Sequence, residues 1–254
     1  MKVLSVQLDI AWQDSAQNLL SLREYLQRLE PGQVDVVVLP ELFHCGFSMQ
    51  VDQVSQSKGG EVYTALSDLA RQYGVYLVAG FAERVSSTQA RNCALVFDQN
   101  GNEQACYVKN RTFNFAGEGD YYQAGSEQVE FEIKGISCSV FICYDLRFPE
   151  LFRQVVPQAE MIFVIANWPE SRQSHWEVLL QARAIENQCF VVGVNRIGKD
   201  GNGLRYAGGS MVVDPLGEIL SYAGSEQACQ ITEVPIKQVK LVRRQYPFLE
   251  DIES

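Results

Sequence analysis

Three polar residues of this chain stand directly after apolar runs of the kind that form buried strands. Glu41 follows VVVLP, Lys109 follows ACYV, and Cys143 follows SVFI. Because the ends of neighbouring strands converge at one edge of an α/β sheet, the three side chains could share one pocket. Together they could supply a general base, a cation and a nucleophilic thiol.

Each of the three residues also fits a structural role when it is considered alone. Glu41 could be a carboxylate at the start of a helix, Lys109 a surface lysine with a packed stem, and Cys143 a small core residue. His44 and His175 could instead supply the imidazole of a thiol–imidazole pair, although a structural role is the commoner one for both. The elements and motifs around these residues decide between the interpretations.

The surrounding sequence alternates between strand and helix patterns. Runs of β-branched residues predict buried strands, and apolar residues at helical spacing predict helices. The predicted strands are 2–8, 34–40, 75–81, 160–166 and 189–195, and the predicted helices are 15–30, 60–73, 149–156 and 173–188. Turns at Asn100-Gly101 and Gly135 predict hairpins, and two further strands flank residues 214–217. Helical crossovers mixed with hairpins predict mixed sheets.

Two mixed sheets that pack on each other and carry helices on their outer faces form a four-layer α-β-β-α sandwich. We therefore expect this α/β fold as one domain over residues 1–254, since 46% hydrophobic residues in a chain of this length can bury one sizeable core. The tail from about residue 235 carries a basic cluster followed by YPFL. We expect this tail to pack on a partner subunit.

The composition argues against several kinds of partner. Lys and Arg total 21 against 31 for Asp and Glu, and the formal net charge of −10 disfavours nucleic acid. The first apolar run, in MKVLSVQLDIAW, is too short for a signal sequence or a membrane span, so we expect a cytoplasmic protein with no membrane partner. The seven cysteines have neither the spacing of a disulfide framework nor a CxxC pair.

Three motifs resemble those of the nitrilase superfamily of carbon–nitrogen hydrolases and occur in the same order. They are Leu39-Pro40-Glu41, Tyr107-Val108-Lys109 followed by Phe113, and Cys143-Tyr144-Asp145-Leu146-Arg147-Phe148-Pro149-Glu150. The segments Asn167-Trp168-Pro169, HWEVLLQARAIEN and GGSMVVDPLGE resemble the ω-amidase-like branch. True nitrilases differ, because a Trp-Glu pair follows their cysteine. The resemblance extends through nearly the whole chain.

The resemblance implies a homodimeric amidase that needs no metal or cofactor. Cys143 would attack a small carboxamide, and Glu41 would take the thiol proton and later activate water. Lys109 and the Tyr144 backbone N–H would stabilise the oxyanion. Glu118 matches the position of an additional carboxylate near the catalytic lysine and glutamate, which implies a supporting role. The products would be ammonia and a carboxylate.

The branch also implies a small ω-monoamide acid as substrate, such as 2-oxoglutaramate or 2-oxosuccinamate. An arginine fork would bind the carboxylate at its far end, with Arg172 and Arg196 as candidates. Phe113, Tyr144 and Trp168 would form the remaining substrate contacts.

One motif departs from the branch, since the usual Lys-x-His-Leu-Phe reads Lys109-Asn110-Arg111-Thr112-Phe113. A permanent cation at position 111 could change the shape or charge of the pocket mouth. Two alternative functions remain open: a deaminated-glutathione or N-carbamyl amidohydrolase with the same triad, and a catalytically silent binding subunit. The presence of all three triad residues at family-like spacing favours an enzyme.

Overall fold

The computed structural model describes residues 1–253, which form fourteen strands, seven α-helices and several short 3₁₀ turns. The strands are β1 (Lys2–Gln7), β2 (Val36–Val38), β3 (Tyr76–Arg84), β4 (Ala90–Phe97), β5 (Glu103–Val108), β6 (Glu130–Ile133), β7 (Ile136–Ile142), β8 (Met161–Ala166), β9 (Phe190–Asn195), β10 (Ile197–Lys199), β11 (Arg205–Ala207), β12 (Met211–Val213), β13 (Ile219–Tyr222) and β14 (Ala228–Glu233). The helices are α1 (Ser15–Leu26), α2 (Val51–Val54), α3 (Glu61–Tyr73), α4 (Glu118–Tyr121), α5 (Pro149–Arg153), α6 (Gln173–Asn187) and α7 (Lys237–Gln245).

Two six-stranded mixed sheets form the centre of the molecule. The first has the order β14-β1-β2-β3-β4-β5, and the second has the order β13-β12-β9-β8-β7-β6. Each sheet contains three adjacent parallel strands, which are β1-β2-β3 in the first and β7-β8-β9 in the second. The remaining neighbours are antiparallel. The two sheets therefore repeat one pairing pattern.

Strand β2 illustrates how the layers assemble. Val36 and Val38 belong to the core cluster that includes strands of the second sheet, whereas Val37 packs with residues of α1 and α3 on the outer face. Side chains alternate between the two faces of a strand, so a strand buried on both faces needs an unbroken apolar run. The run VVVLP meets this requirement, and the predicted α-β-β-α sandwich is confirmed.

Several boundaries and elements differ from the sequence predictions. The strand predicted over 34–40 is limited to Val36–Val38, and it ends before Pro40, which has no backbone N–H to donate to a neighbouring strand. The sequence analysis missed the β10–β11 hairpin, and it missed β14, which pairs with β1 from the opposite end of the chain. No helix within residues 1–253 has the length and apolar character required to cross a membrane.

The tail from about residue 235 forms α7 and folds back on its own chain. Val239 and Val242 are buried, while Leu241 and Phe248 remain more than 60% exposed. Arg243 donates to the carbonyl oxygens of Ala159 and Gln188 and so ties the tail to the body of the domain. One face of the tail thus packs on its own subunit. The expected packing of its exposed residues on a partner remains a prediction.

The turn that carries Glu41 lies directly against β3. A Cβ atom at Gly80 would lie 2.1 Å from the backbone nitrogen of Leu42 and 2.5 Å from the carbonyl oxygen of Pro40. Leu42 has a φ of 44°, a left-handed conformation that costs free energy for a non-glycine residue. Glycine at position 80 therefore permits the close approach that sets the position of Glu41.

We expect Gly80→Ala to destabilise the fold and displace the Glu41 turn. The added methyl group would overlap backbone atoms, so the loss of unfolding free energy should be at least about 3 kcal/mol. Gly32→Ala is the control, because Gly32 has a positive φ but nothing within 4 Å of an added Cβ, and its cost should be about 1–2 kcal/mol. Urea unfolding measures both, and equal losses would contradict the close-approach argument.

Candidate active site

The structure brings Glu41, Lys109, Cys143 and Glu118 together where the two sheets meet. Glu41 follows β2, Lys109 follows β5 and Cys143 follows β7, so both sheets contribute. Lys109 Nζ lies 2.8 Å from Glu41 Oε1 and 3.0 Å from both carboxylate oxygens of Glu118. These three charged side chains are at most 1% exposed. The three charged side chains therefore form one buried cluster, and the partly buried Cys143 lines the same cavity as Lys109.

The cluster keeps Lys109 charged in spite of its burial. Burial favours the neutral amine, but the charges of Glu118 and Glu41 raise the pKa of Lys109 above its ordinary value. The side chain is therefore an ammonium at neutral pH. The two carboxylates also fix the position of Nζ. Removing one member of a buried ion pair typically costs about 3–5 kcal/mol of unfolding free energy.

Glu41 is held from both sheets. Asn167, just after β8, donates its backbone N–H to Glu41 Oε2 at 2.8 Å and its side-chain Nδ2 to the Glu41 carbonyl oxygen at 2.8 Å. The other carboxylate oxygen, Oε1, accepts from Lys109. Each oxygen of the proposed base thus has a defined donor, which restricts rotation of the carboxylate.

Asn92 joins the two carboxylates, and the sequence analysis missed it. Its Nδ2 donates to Glu41 Oε1 at 2.7 Å and to Glu118 Oε1 at 3.0 Å. The backbone N–H of Lys109 also donates to the Asn92 carbonyl oxygen at 2.9 Å. The sequence signal that could have identified Asn92 is an asparagine within the apolar strand NCALVF, since a buried amide needs polar partners.

Cys143 occupies a strained elbow between β7 and a 3₁₀ turn. Its φ of 47° is a left-handed value, which is uncommon for a residue with a side chain and clusters at functional sites. Burial and the charge of Glu41 raise the pKa of the Cys143 thiol well above its ordinary value, although Lys109 acts in the opposite direction. The resting thiol is therefore protonated and needs a base before it can act as a nucleophile.

Asp145 fastens this elbow to the first sheet. Its Oδ2 accepts from the Tyr107 hydroxyl at 2.9 Å and from the Ile142 backbone N–H at 3.0 Å. Its Oδ1 accepts from the Arg111 backbone N–H at 2.8 Å. Burial raises the pKa of Asp145 to about 7, against the opposing effects of Lys109 and of these donors. The contacts fix the chain on both sides of Cys143.

A small cavity of about 50 Å³ opens beside Cys143 and Lys109. Four of the five residues that the sequence analysis offered for substrate binding line it: Phe113, Tyr144, Trp168 and Arg172. The structure adds further lining residues that the sequence analysis did not identify: Phe47, Ala116, Arg147, Asn167, Pro169, Leu204 and Tyr206. The walls are thus mainly aromatic and apolar, with arginines as the added charges.

Arg111 and Arg196 do not line this cavity. Arg111 lies 5.2 Å from the centre of the Phe148 ring and pairs with Glu150 at 3.6 Å in an adjoining surface groove. Arg196 is fully buried behind Tyr206, where its Nη2 contacts Asp9 at 3.3 Å. The departure at position 111 therefore changes the outer surface rather than the cavity wall.

Neither histidine lies beside the Cys143 thiol in the cavity. His44 is buried, its pKa is lowered to about 4 by burial, and its Nε2 accepts from the Ala82 backbone N–H at 3.1 Å. His175 is exposed and contacts Arg147. Across residues 1–253, no three His, Cys, Asp or Glu side chains are grouped in a way that could hold a metal ion.

A strained cysteine, a buried lysine and a glutamate at strand ends of an α-β-β-α sandwich, with a second glutamate at the start of α4, define a class of hydrolase. Comparisons with known proteins identify the family. The family model for carbon-nitrogen hydrolases matches residues 2–244. The chain is 34% identical to a 2-oxoglutaramate amidase of Bacillus subtilis over 249 residues, covering 97% of this chain and 95% of that protein. It is 35% identical to omega-amidase YafV of Escherichia coli, covering 100% of this chain and 97% of that protein.

The fold comparison agrees with the sequence comparison. XC1258 from Xanthomonas campestris, a CN-hydrolase superfamily protein, has a TM-score of 0.94 and 33% identity, with 100% of this chain and 97% of that chain covered. That structure carries an arsenic adduct in its active site. The chain described here belongs to the carbon-nitrogen hydrolase family.

We expect Asn92→Ala to lower both stability and turnover. Loss of the amide removes two hydrogen bonds to carboxylates, and each such bond is worth about 1.5–3 kcal/mol. Asn92→Asp should be the more harmful change at pH 8, because it adds a third carboxylate around one ammonium. Thermal unfolding and ammonia release measure the two effects. Full activity of Asn92→Asp would show that no donor is needed at this position.

Proposed function

We propose that this protein is an amidase of the ω-amidase type, which hydrolyses the terminal carboxamide of a small monoamide acid such as 2-oxoglutaramate or 2-oxosuccinamate. The observation that carries the proposal is the contact of Lys109 with Glu41 and Glu118, in a site where Lys109 and Cys143 line one small cavity. The names of the relatives from Bacillus subtilis and Escherichia coli support the same substrate class.

The first half-reaction begins with proton transfer from the Cys143 thiol to Glu41. The sulfur attacks the amide carbon, and the former carbonyl oxygen takes up negative charge. Lys109 Nζ and the Tyr144 backbone N–H are the proposed donors to this oxyanion, and a lost donor of this kind typically costs about 10²–10³ in rate. Protonated Glu41 then gives its proton to the leaving nitrogen. The C–N bond breaks, ammonia departs, and a thioester remains on Cys143.

The second half-reaction uses the same groups with water as the nucleophile. Glu41 takes a proton from water, and the resulting hydroxide attacks the thioester carbon. Collapse of the second oxyanion breaks the C–S bond, and the proton held by Glu41 returns to the sulfur. Glu118 stays ion-paired with Lys109 throughout and keeps the ammonium in place while the charge on Glu41 changes.

We further propose that the protein acts in the cytoplasm as a homodimer. Support for a dimer comes from apolar side chains on the outer surface of α6 and β13, where Val178 is 62%, Ile185 52% and Ile219 45% exposed. Exposed apolar patches are typical of association surfaces. Light scattering of the purified protein should give a mass near twice 28.6 kDa.

The substrate proposal is tested by ammonia release from a panel of ω-monoamides, nitriles and N-carbamyl compounds. We expect turnover of 2-oxoglutaramate and 2-oxosuccinamate and none by Cys143→Ala, which removes the nucleophile at little cost in volume. Preference for an N-carbamyl compound or for deaminated glutathione would reassign the substrate. Failure on every compound by a folded protein would favour a silent binding subunit.

We expect Lys109→Met to lower kcat by at least about 10²-fold, the scale of a lost oxyanion donor. The effect should fall on kcat more than on KM, because the oxygen meets the ammonium most strongly when it becomes an oxyanion. Lys109→Arg should restore little, since a planar fork cannot occupy the position of the ammonium. Steady-state kinetics measure both variants. An unchanged kcat with a raised KM would instead make Lys109 a substrate anchor.

A further inference from the structure

Two thiols meet on the outer face of the first sheet, away from the cavity. In the antiparallel pair of β4 and β5, Cys93 lies opposite Val108, and Cys106 lies opposite Leu95. The two cysteines are therefore diagonal neighbours, and their side chains lie on one face, in the core cluster beneath α3. The Cys93 thiol hydrogen-bonds to the Cys106 sulfur, and both thiols are free.

The two thiols differ in access and in ionisation. Cys93 is fully buried, whereas Cys106 is partly exposed. The hydrogen bond from Cys93 and the charge of Lys58 lower the pKa of the Cys106 thiol, although burial acts against them. The same hydrogen bond and burial raise the pKa of the Cys93 thiol. Cys106 is thus the more easily ionised member of the pair, and it is the member that solvent can reach.

The remaining five cysteines, all within the described part of the chain, have the opposite character. Burial is the main cause that raises the pKa of each of their thiols, including Cys143. A thiolate is the form that attacks a disulfide. Cys106 is therefore the thiol of the resting protein that should react first with a small disulfide.

Lys58 is held in place beside this pair. Its Nζ lies 2.6 Å from Glu103 Oε1, and the Tyr63 hydroxyl donates to Glu103 Oε2 at 2.9 Å. Glu103 begins β5, the strand that carries Cys106, and Tyr63 lies on α3. The ammonium is therefore anchored to both elements that enclose the thiols, and its charge is a fixed feature of the site.

The opposite face of the same two strands carries part of the charge network. Asn92, which donates to Glu41 and Glu118, directly precedes Cys93 in β4. The backbone N–H of Lys109, just after β5, donates to the Asn92 carbonyl oxygen at 2.9 Å. Diagonal neighbours in a sheet have Cα atoms about 7–8 Å apart. A disulfide needs about 4.4–6.8 Å, so bridging the cysteines would shift β4 against β5.

We propose that Cys106 and Cys93 form a thiol–disulfide modification site, which takes a low-molecular-weight disulfide, becomes a Cys93–Cys106 disulfide and thereby lowers turnover by displacing Asn92 and Lys109. The site lies outside the cavity, and its chemistry does not depend on the amidase proposal. Reduction by a thiol restores the two free cysteines and the original strand pairing.

The modification is an exchange in two steps. The Cys106 thiolate attacks one sulfur of the small disulfide, whose S–S bond breaks, and the first small thiol leaves with the proton that Cys106 lost. Cys93 then gives its proton to Glu83, whose Oε2 lies 3.7 Å from Cys93 Sγ, and attacks the Cys106 sulfur. The second small thiolate leaves and takes this proton from Glu83. Two protein thiols are oxidised to one disulfide, and the small disulfide is reduced to two thiols.

The first test maps the products of incubation with glutathione disulfide by mass spectrometry and needs no turnover. The wild-type protein should form the Cys93–Cys106 disulfide before Cys143 is modified, and dithiothreitol should remove it. Cys93→Ala should stop at a mixed disulfide of glutathione with Cys106, and Cys106→Ser should form neither product. Cys229→Ser is the matched control and should behave as the wild type, because Cys229 is also partly exposed but lies opposite Val6.

The second test measures ammonia release before and after the same treatment. Oxidised wild-type protein should lose at least about 10-fold in kcat, since a displacement of about 1 Å can cost about 10²-fold in rate. Dithiothreitol should restore it, and Cys106→Ser should keep its activity throughout.

Three results would overturn the inference: no Cys93–Cys106 disulfide in the treated wild type, a disulfide that leaves kcat unchanged, or an equal loss of activity in treated Cys106→Ser, which would place the effect at Cys143. Absence of ammonia release from the untreated protein would refute the amidase proposal instead, and the disulfide mapping would still decide whether the two cysteines form this site.

Discussion

A buried ammonium between two carboxylates is the interaction on which the rest of the site depends. Lys109 is at most 1% exposed and contacts both Glu41 and Glu118, while Asn92 donates to the same two carboxylates. Three buried charges are tolerable only because every carboxylate oxygen accepts at least one hydrogen bond. This requirement fixes the ends of β2, β4, β5 and β8 relative to one another.

The proposed nucleophile has a strained backbone, and a third buried acid, Asp145, holds the turn that follows it. Cys143 has a left-handed backbone, and Asp145 ties the following turn to β5 through the Tyr107 hydroxyl. Burial and the charge of Glu41 raise the pKa of the Cys143 thiol, so the resting site holds a thiol rather than a thiolate. In the proposed mechanism, attack then depends on proton transfer to Glu41, which couples the proposed nucleophile to its base. An unprotected reactive thiolate is thereby avoided in the resting protein.

The cavity walls come from segments that are far apart in the chain. Phe47 follows the Glu41 turn, Phe113 follows β5, and Trp168 follows β8. Leu204 and Tyr206 reach the cavity from the β10–β11 hairpin. The proposed catalytic residues follow β2, β5 and β7 or begin α4, whereas most of the wall residues lie in connecting segments and in the β10–β11 hairpin. Two wall residues also serve the charge network, because the backbone N–H groups of Phe113 and Asn167 donate to Glu118 and Glu41. The cavity walls and the charge network are therefore linked at these positions.

The sequence by itself determined the sheet-forming runs, the main helices and the polar residues that follow the strands, because these patterns depend on neighbours a few residues apart. It also pointed to Glu41, Lys109, Cys143 and Glu118 through motifs that resemble a known family, and the structure brings these four residues together. Contacts between distant segments followed no such local pattern. The pairing of β1 with β14, the bridge made by Asn92, and the position of Arg147 on Trp168 each depend on how the two sheets pack. The sequence likewise offered Arg196 as a candidate beside Arg172. Only the tertiary structure excluded Arg196 from the cavity, because it is buried behind Tyr206 and paired with Asp9.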